Sequence, residues 1–226
     1  MAYRSSAPTE SDNSNSLVAT APAGIVAGDI LIAGITQDDT GVTFGAPSGW
    51  TIVSTQNVTN GDTSTFAWAW KLAGGSEPGT YTFTGTSGFN MAAVIAAYSG
   101  RASSPIETST VNNPNSGSPP SSPVTVTATG FTTSYIDDIV WICGVDTNGG
   151  DGSWTAPSGM TKRSEVSGSG NFTAMAICDF SQSSAGVVAD QSGTWTQSSA
   201  AGNFVGFLIA LKPSSAPAPF LMNWKT

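Results

Sequence analysis

The feature that most limits what this chain can become is a motif that occurs twice. Phe44-Gly45-Ala46-Pro47-Ser48-Gly49-Trp50 returns about 110 residues later as Trp154-Thr155-Ala156-Pro157-Ser158-Gly159-Met160. Self-similarity at a fixed spacing marks a repeat architecture and constrains the fold before any local argument does. Flanking blocks recur in the same order. Gly28-Asp29-Ile30-Leu31-Ile32-Ala33 matches Asp137-Asp138-Ile139-Val140-Trp141-Ile142, and Ala67-Trp68-Ala69-Trp70 matches Ala174-Met175-Ala176-Ile177. Gly79-Thr80-Tyr81-Thr82 matches Gly193-Thr194-Trp195-Thr196. Asn90-Met91-Ala92-Ala93-Val94-Ile95-Ala96 matches Asn203-Phe204-Val205-Gly206-Phe207-Leu208-Ile209. Five blocks in one order predict two copies of one unit.

The period inside each copy is that of a strand. From Thr65 to Leu72, Phe66, Trp68 and Trp70 fall on one face and Ala67 and Ala69 on the other, whereas a helix would scatter the aromatics. Asp29 to Thr36 is a continuous apolar run closed by Gly28 and by Asp38-Asp39-Thr40-Gly41, which predicts a strand covered on both faces or nearly so. Ala46-Pro47-Ser48-Gly49 and Glu77-Pro78-Gly79 carry turn chemistry, and Asn60-Gly61-Asp62 closes a hairpin. Ala-rich Met91 to Ala97 suits a helix by propensity, yet its match at 204–209 reads as β, so a strand is expected.

In the second copy, strands are expected at Val124 to Thr127, Ile139 to Val145, Thr161 to Val166, Phe172 to Phe180, Gly193 to Gln197 and Asn203 to Leu211. The fold expected is all-β, a tandem repeat of about six strands each. The copies would form two packed, jelly-roll-like β-sandwich units or one fused larger sandwich. The chain divides into a polar N-terminal arm (1–15), a first repeat (16–100), a Ser/Pro-rich connection (101–122), a second repeat (123–212) and a Pro-rich spacer with an apolar tail (213–226).

Composition then removes classes of function. The net charge is −8 with seven basic residues, which excludes a surface that tracks nucleic-acid phosphates and disfavours an anionic membrane surface. No histidine is present, so His-based acid–base catalysis, the Ser-His-Asp triad and the commonest zinc sites are excluded. No apolar run reaches the length of a membrane-spanning helix, so no membrane insertion is expected. The opening residues lack the apolar core of a secretion signal, so synthesis in a host cytoplasm is expected. Cys143 and Cys178 lie in strands of the second copy where the first has Gly34 and Lys71, so the fold does not require them. Buried free thiols are favoured, with a disulfide as the alternative.

No constellation of reactive residues stands out. Asp146-Thr147-Asn148-Gly149-Gly150-Asp151-Gly152 groups oxygens with glycines as a calcium loop does, but it lacks the acidic final ligand, and hairpin loops use the same residues. Asp137 and Asp138 are neighbours on a strand and point to opposite faces. Neither a metal, nor a cofactor, nor an enzyme is expected. Asn57-Val58-Thr59 and Asn171-Phe172-Thr173 match a glycosylation acceptor pattern that Thr-rich strands generate freely. Trp50 and Trp154 are candidate ligand contacts, since rings of this kind stack on sugars; the repeats agree on bulk here, so core positions are favoured.

With Gly28-Asp29-Ile30-Leu31-Ile32-Ala33, Ala46-Pro47-Ser48-Gly49-Trp50-Thr51, and Trp70-Lys71-Leu72-Ala73 followed by Glu77-Pro78-Gly79-Thr80-Tyr81-Thr82-Phe83-Thr84, the chain resembles a family of β-rich phage and prophage proteins. Those carry G-D-x-L-[VIL]-A, P-P-x-G-W-T and W-K-x-A…E-P-x-x-Y-x-F segments and are labelled minor tail, fibre-like or structural. The likeness covers roughly residues 17–212 and carries no active-site signature. It implies a non-enzymatic component of the virion surface, a capsid decoration or a tail or fibre part. Its partners would be other virion proteins and further copies of itself. The alternative is a carbohydrate- or receptor-binding adhesin that takes a host surface glycan. Phe220, Leu221, Met222 and Trp224, set beyond a Ser/Ala/Pro spacer, are the expected docking residues on a neighbouring chain, because so much apolar surface gains by leaving water; folding back over an edge strand of the same sandwich is the alternative.

Overall fold

The computed structural model describes residues 2–11, 13–59, 63–112, 121–136, 138–147, 150–167, 173–198, 202 and 204–214. Among them the chain is all-β, with strands paired antiparallel throughout. One five-stranded sheet runs, edge to edge, β1 (Ala2–Ser11), β7 (Met91–Ser99), β3 (Ile30–Gln37), β5 (Ser64–Leu72) and β4 (Thr51–Val58). The other runs β13 (Thr161–Val166), β14 (Thr173–Ser181), β11 (Asp138–Asp146), β17 (Phe204–Pro213) and β8 (Arg101–Asn112). Three smaller sheets complete the described residues. They are β2 (Ser16–Thr20) with β6 (Thr80–Thr84), β12 (Gly152–Thr155) with β16 (Gln191–Gln197) and β9 (Val124–Ala128), and β10 (Phe131–Thr133) with β15 (Gly186–Val188).

Side-chain alternation stacks these sheets in layers. Ile30, Ile32, Phe66, Trp68, Ala92, Val94 and Ala96 point from the first large sheet into one cluster with Val140, Ile142, Met175, Ile177, Val205, Phe207 and Ile209 of the second. The two large sheets therefore pack face to face. On the far side of the first, Leu31, Ala33, Ile35, Ala67, Ala93 and Ile95 pack under Leu17 and Ala19 of β2 and Tyr81 and Phe83 of β6. On the far side of the second, Ile139, Trp141, Cys143, Ala174, Ala176 and Leu208 pack under Val124, Val126, Trp154 and Trp195 of the three-stranded sheet. This explains the unbroken apolar runs. Every residue of β3 is buried, as its sequence predicts, because both faces of its sheet are covered. Ala-rich β7 is a strand for the same reason; small side chains on both faces let two layers approach it.

The large sheets meet closely at two glycines. A Cβ on Gly34 would lie 2.7 Å from Ile142 and 2.8 Å from Met175, and one on Gly144 would lie 2.3 Å from the Phe66 ring. The repeated A-P-S-G motif makes the same turn twice. Trp50 N donates to Pro47 O at 3.1 Å and Met160 N to Pro157 O at 3.0 Å, with Gly49 at φ 82° and Gly159 at φ 81°. The strand after each turn has an irregularity one turn later, at Val53 against β5 and at Arg163 against β14.

The structure adds short strands β10, β12 and β15 that the sequence reading does not include, and it differs in three further places. Residues 2–11, expected as an arm, pair along their length with β7 and form the edge of the first sheet. Residues 101–112, expected within a connection, form β8 and edge the second. Both strands carry a proline, Pro8 and Pro105, a residue that a central strand would not accept. The third difference is a slip of one residue: Ile30 faces the second large sheet, whereas its matched Ile139 faces outward. With a side-chain period of two, a one-residue offset exchanges the faces. The Asn60-Gly61-Asp62 hairpin lies outside the described residues.

The inter-sheet layer sets two expectations. Trp68→Ala should cost roughly 3–5 kcal/mol in denaturant unfolding, as a large truncation in a closed core, and Gly144→Ala about 1–3 kcal/mol through overpacking against Phe66. Because one layer holds both halves, unfolding followed by fluorescence and circular dichroism should show one coincident transition that neither half reproduces alone.

Candidate functional site

The aromatic rings that the sequence offers as ligand contacts are in the interior. Trp50 is 8% exposed and Trp154 3%. Trp50 stands edge-on to Tyr81 and Phe83 at 5.2 and 5.3 Å, and Trp154 packs between Trp141 and Trp195 at 6.0 and 5.2 Å. Neither ring presents a face on which a sugar can stack. Asn57 of the first acceptor pattern has its amide oxygen taken by Gly41 N and the Thr65 hydroxyl. Asn171 of the second, Asp137, and Asn148-Gly149 of the Asp146–Gly152 loop lie outside the described residues. So do the docking residues Phe220, Leu221, Met222 and Trp224.

Charged groups are used where chain segments meet. Glu77 accepts from Lys71 Nζ at 2.7 Å, Gly74 N at 2.6 Å and Tyr81 Oη at 2.7 Å. Burial opposes its ionisation, but these three donors outweigh burial and hold its pKa below the usual carboxylate range. Lys71 also lies 5.2 Å from the Tyr81 ring centroid, so one carboxylate ties the end of β5 to β6 beneath Trp50.

A second polar cluster closes the seam between the large sheets. Arg163 of β13 grips Asp179 of β14 with Nε at 2.8 and 3.0 Å from the two carboxylate oxygens. Its guanidinium lies 4.1 Å from the ring centroid of Tyr3 on β1, and Tyr3 meets Tyr98 edge-on at 5.9 Å. Ser6 donates to Arg163 O at 2.7 Å. Burial raises the Asp179 pKa, against the pull of Tyr98 and Arg163. On β1 itself, Arg4 forms a fork with Asp29 at 2.6 and 3.0 Å. These contacts fasten the polar opening segment to both sheets, and no residue spacing in the sequence announces them.

The outward surfaces have a different chemistry. Along β2 and β6, Thr20 lies opposite Thr80, Val18 opposite Thr82 and Ser16 opposite Thr84. Across β12, β16 and β9, Thr155, Thr194 and Thr125 form one row, with Ser153 opposite Thr196 and Ser192 opposite Thr127. The Thr127 and Ser192 hydroxyls bond each other at 2.8 Å. None of these five strands contains a charged residue. The two outer layers of the stack are therefore uncharged hydroxyl ladders on opposite sides of the molecule.

Cys143 and Cys178 are free thiols buried on the outward face of the second large sheet. Burial pushes Cys178 up to about 12 and Cys143 well above its ordinary value. The depression, rather than location, of a cysteine pKa makes a nucleophile, and these go the other way.

Two measurements check these assignments. At pH 8 both thiols should stay unreactive toward an aromatic disulfide reagent and titrate fully on unfolding; fast reaction in the native state would contradict the packing. Glu77→Gln should cost about 1–3 kcal/mol at neutral pH by weakening three charge-assisted bonds. Since the folded pKa of Glu77 is lowered, its stabilisation is present above the unfolded value near 4.3 and is lost as pH falls through the folded one. The variant should accordingly show a shallower loss of stability on acidification than the parent.

No protein-family model, characterised protein or solved structure matches this chain.

Proposed function

We propose that this protein is a non-enzymatic structural component of a virus particle, displayed on the surface as a capsid decoration or as a tail or fibre part. It acts by assembling with other particle proteins and with copies of itself. The observation that carries this reading is the pair of uncharged hydroxyl ladders on opposite sides of the stack. Short Ser and Thr side chains lose little rotamer freedom when covered and carry no charge that must be desolvated. Two such faces on a rigid four-layer body suit a part that is packed between neighbours. The likeness of the strand and turn segments to phage structural proteins supports the same reading, and a host-cytoplasmic origin with release on the particle follows from it.

The architecture behind this reading is a tandem duplication of one jelly-roll-like sandwich. Taken by position, the order β1-β7-β3-β5-β4 corresponds to β8-β17-β11-β14-β13. The shared turn at Gly49 and Gly159 and the shared irregularity at Val53 and Arg163 support it. Four of the five matched blocks place their residues on corresponding faces; only the block at Ile30 and Ile139 is offset.

The test is to purify particles from a producing culture on a density gradient and quantify the chain by mass spectrometry. The expected result is co-migration at a fixed number of copies per particle. Abundance in the lysate with absence from particles would overturn the proposal. A glycan array run on the same protein should be blank; sugar-dependent binding without incorporation would establish the adhesin reading instead.

A further inference from the structure

Where β1 lies over β13, two carboxyl groups are buried at one end of the layer between the large sheets. Asp138 of β11 is 5% exposed and Asp179 of β14 4%. The register sets Asp138 opposite Ser181 and Asp179 opposite Val140, so both face the same layer as Val140. Among the described residues only Arg163 forms an ion pair with either, and it takes Asp179. Asp138 accepts from Ser181 Oγ at 2.5 Å through Oδ1, while its Oδ2 has no hydrogen-bond partner. From β7 the buried Tyr98 hydroxyl also faces Asp179. Two carboxyl groups thus meet one arginine away from water, a setting that favours uptake of a proton. The second large sheet holds β1 through that arginine. Tyr3 lies against the guanidinium, and Ser6 bonds the Arg163 carbonyl. Farther along, a cleft of about 450 Å³ separates the strands, lined by Pro8, Thr9, Glu10, Glu165 and Ser167. None of the described side chains of β1 is fully buried. The other charged groups around the seam are engaged elsewhere, Arg4 with Asp29 and Lys162 with Glu165.

We propose that Asp179, Arg163 and Tyr3 form a latch on β1 that a proton opens. The ionised carboxylate aims the guanidinium at the Tyr3 ring. The neutral acid offers only an uncharged acceptor, and the Arg163 side chain, already 27% exposed, turns to water. Tyr3 then loses its partner, and β1 frays from β7 beginning at the Ala2–Ser99 end, which uncovers the β7 edge as an open ladder. Burial raises the Asp179 pKa, so the proton is taken up at milder acidity than an exposed aspartate requires. Because the folded value is raised, ionised Asp179 opposes folding above it, and that opposition disappears as pH falls through it. Opening is therefore local rather than global. Glu77, whose folded pKa is lowered, gives up its stabilisation only at more acid pH.

Hydrogen exchange of the full-length chain, followed by mass spectrometry from pH 7 to pH 4.5 and normalised to intrinsic rates, tests the latch. Protection of residues 2–11 should fall at least ten-fold across this range while that of β3 and β11 holds. Asp179→Asn should show the low β1 protection already at pH 7, with no further fall on acidification and a denaturant midpoint no lower than the parent's. Tyr3→Leu leaves both carboxyl groups in place and keeps the test decisive should Asp179→Asn not fold; its β1 protection should be low and flat over the same range. Flat β1 protection in the parent, a fall shared equally by β3, or a parent-sized fall in either variant would overturn the latch.

Discussion

The central strands of the two large sheets have no solvent side, and that constraint governs the rest of the molecule. A strand covered on one face can alternate apolar and polar residues; a strand covered on both must be apolar where the layers lie over it. β3 obeys this from Ile30 to Ile35, β7 from Met91 to Ala97 and β11 from Ile139 to Val145. The distance between the two sheets is then set by the smallest residues in the layer. Gly34 admits Ile142 and Met175, and Gly144 admits the Phe66 ring. The outer sheets follow as lids, each with one apolar face down and a hydroxyl face out.

How much of this was legible in the residues depended on whether a side chain or the backbone carried the signal. The alternation of Phe66, Trp68 and Trp70, the unbroken run of β3 and the paired A-P-S-G turns were all readable, because burial and turn geometry constrain residue type directly. β1 and β8 were not. As edge strands they are held by ladder hydrogen bonds on one side and by scattered polar contacts such as Arg4 with Asp29 and Ser6 with Arg163. Backbone pairing leaves no composition signature, and Pro8 and Pro105 make the segments look like linkers. The offset of Ile30 and Ile139 has a similar origin. In a strand that is apolar on both faces, one register looks as good as the next until its neighbours fix it.

The candidate surfaces were less legible still. Trp50 and Trp154 drew notice because tryptophan is a versatile ligand contact, but burial decides availability. The hydroxyl rows were present in the sequence as Thr80-Tyr81-Thr82-Phe83-Thr84 and Val124-Thr125-Val126-Thr127, yet only pairing turns separate strands into a two-dimensional face.

The pairing of β1 with β7 has a bearing on how the protein is made. β1 finds its partner β7 only after some eighty further residues have been added, and its contacts through Tyr3 and Ser6 wait for Arg163 of β13. Until then the Trp68 face of the first sheet has nothing to lie against. Connections this distant in sequence slow folding and leave apolar surface open to the wrong neighbours. A nascent chain of this design therefore exposes its largest apolar face in the interval between the emergence of the first large sheet and that of the second.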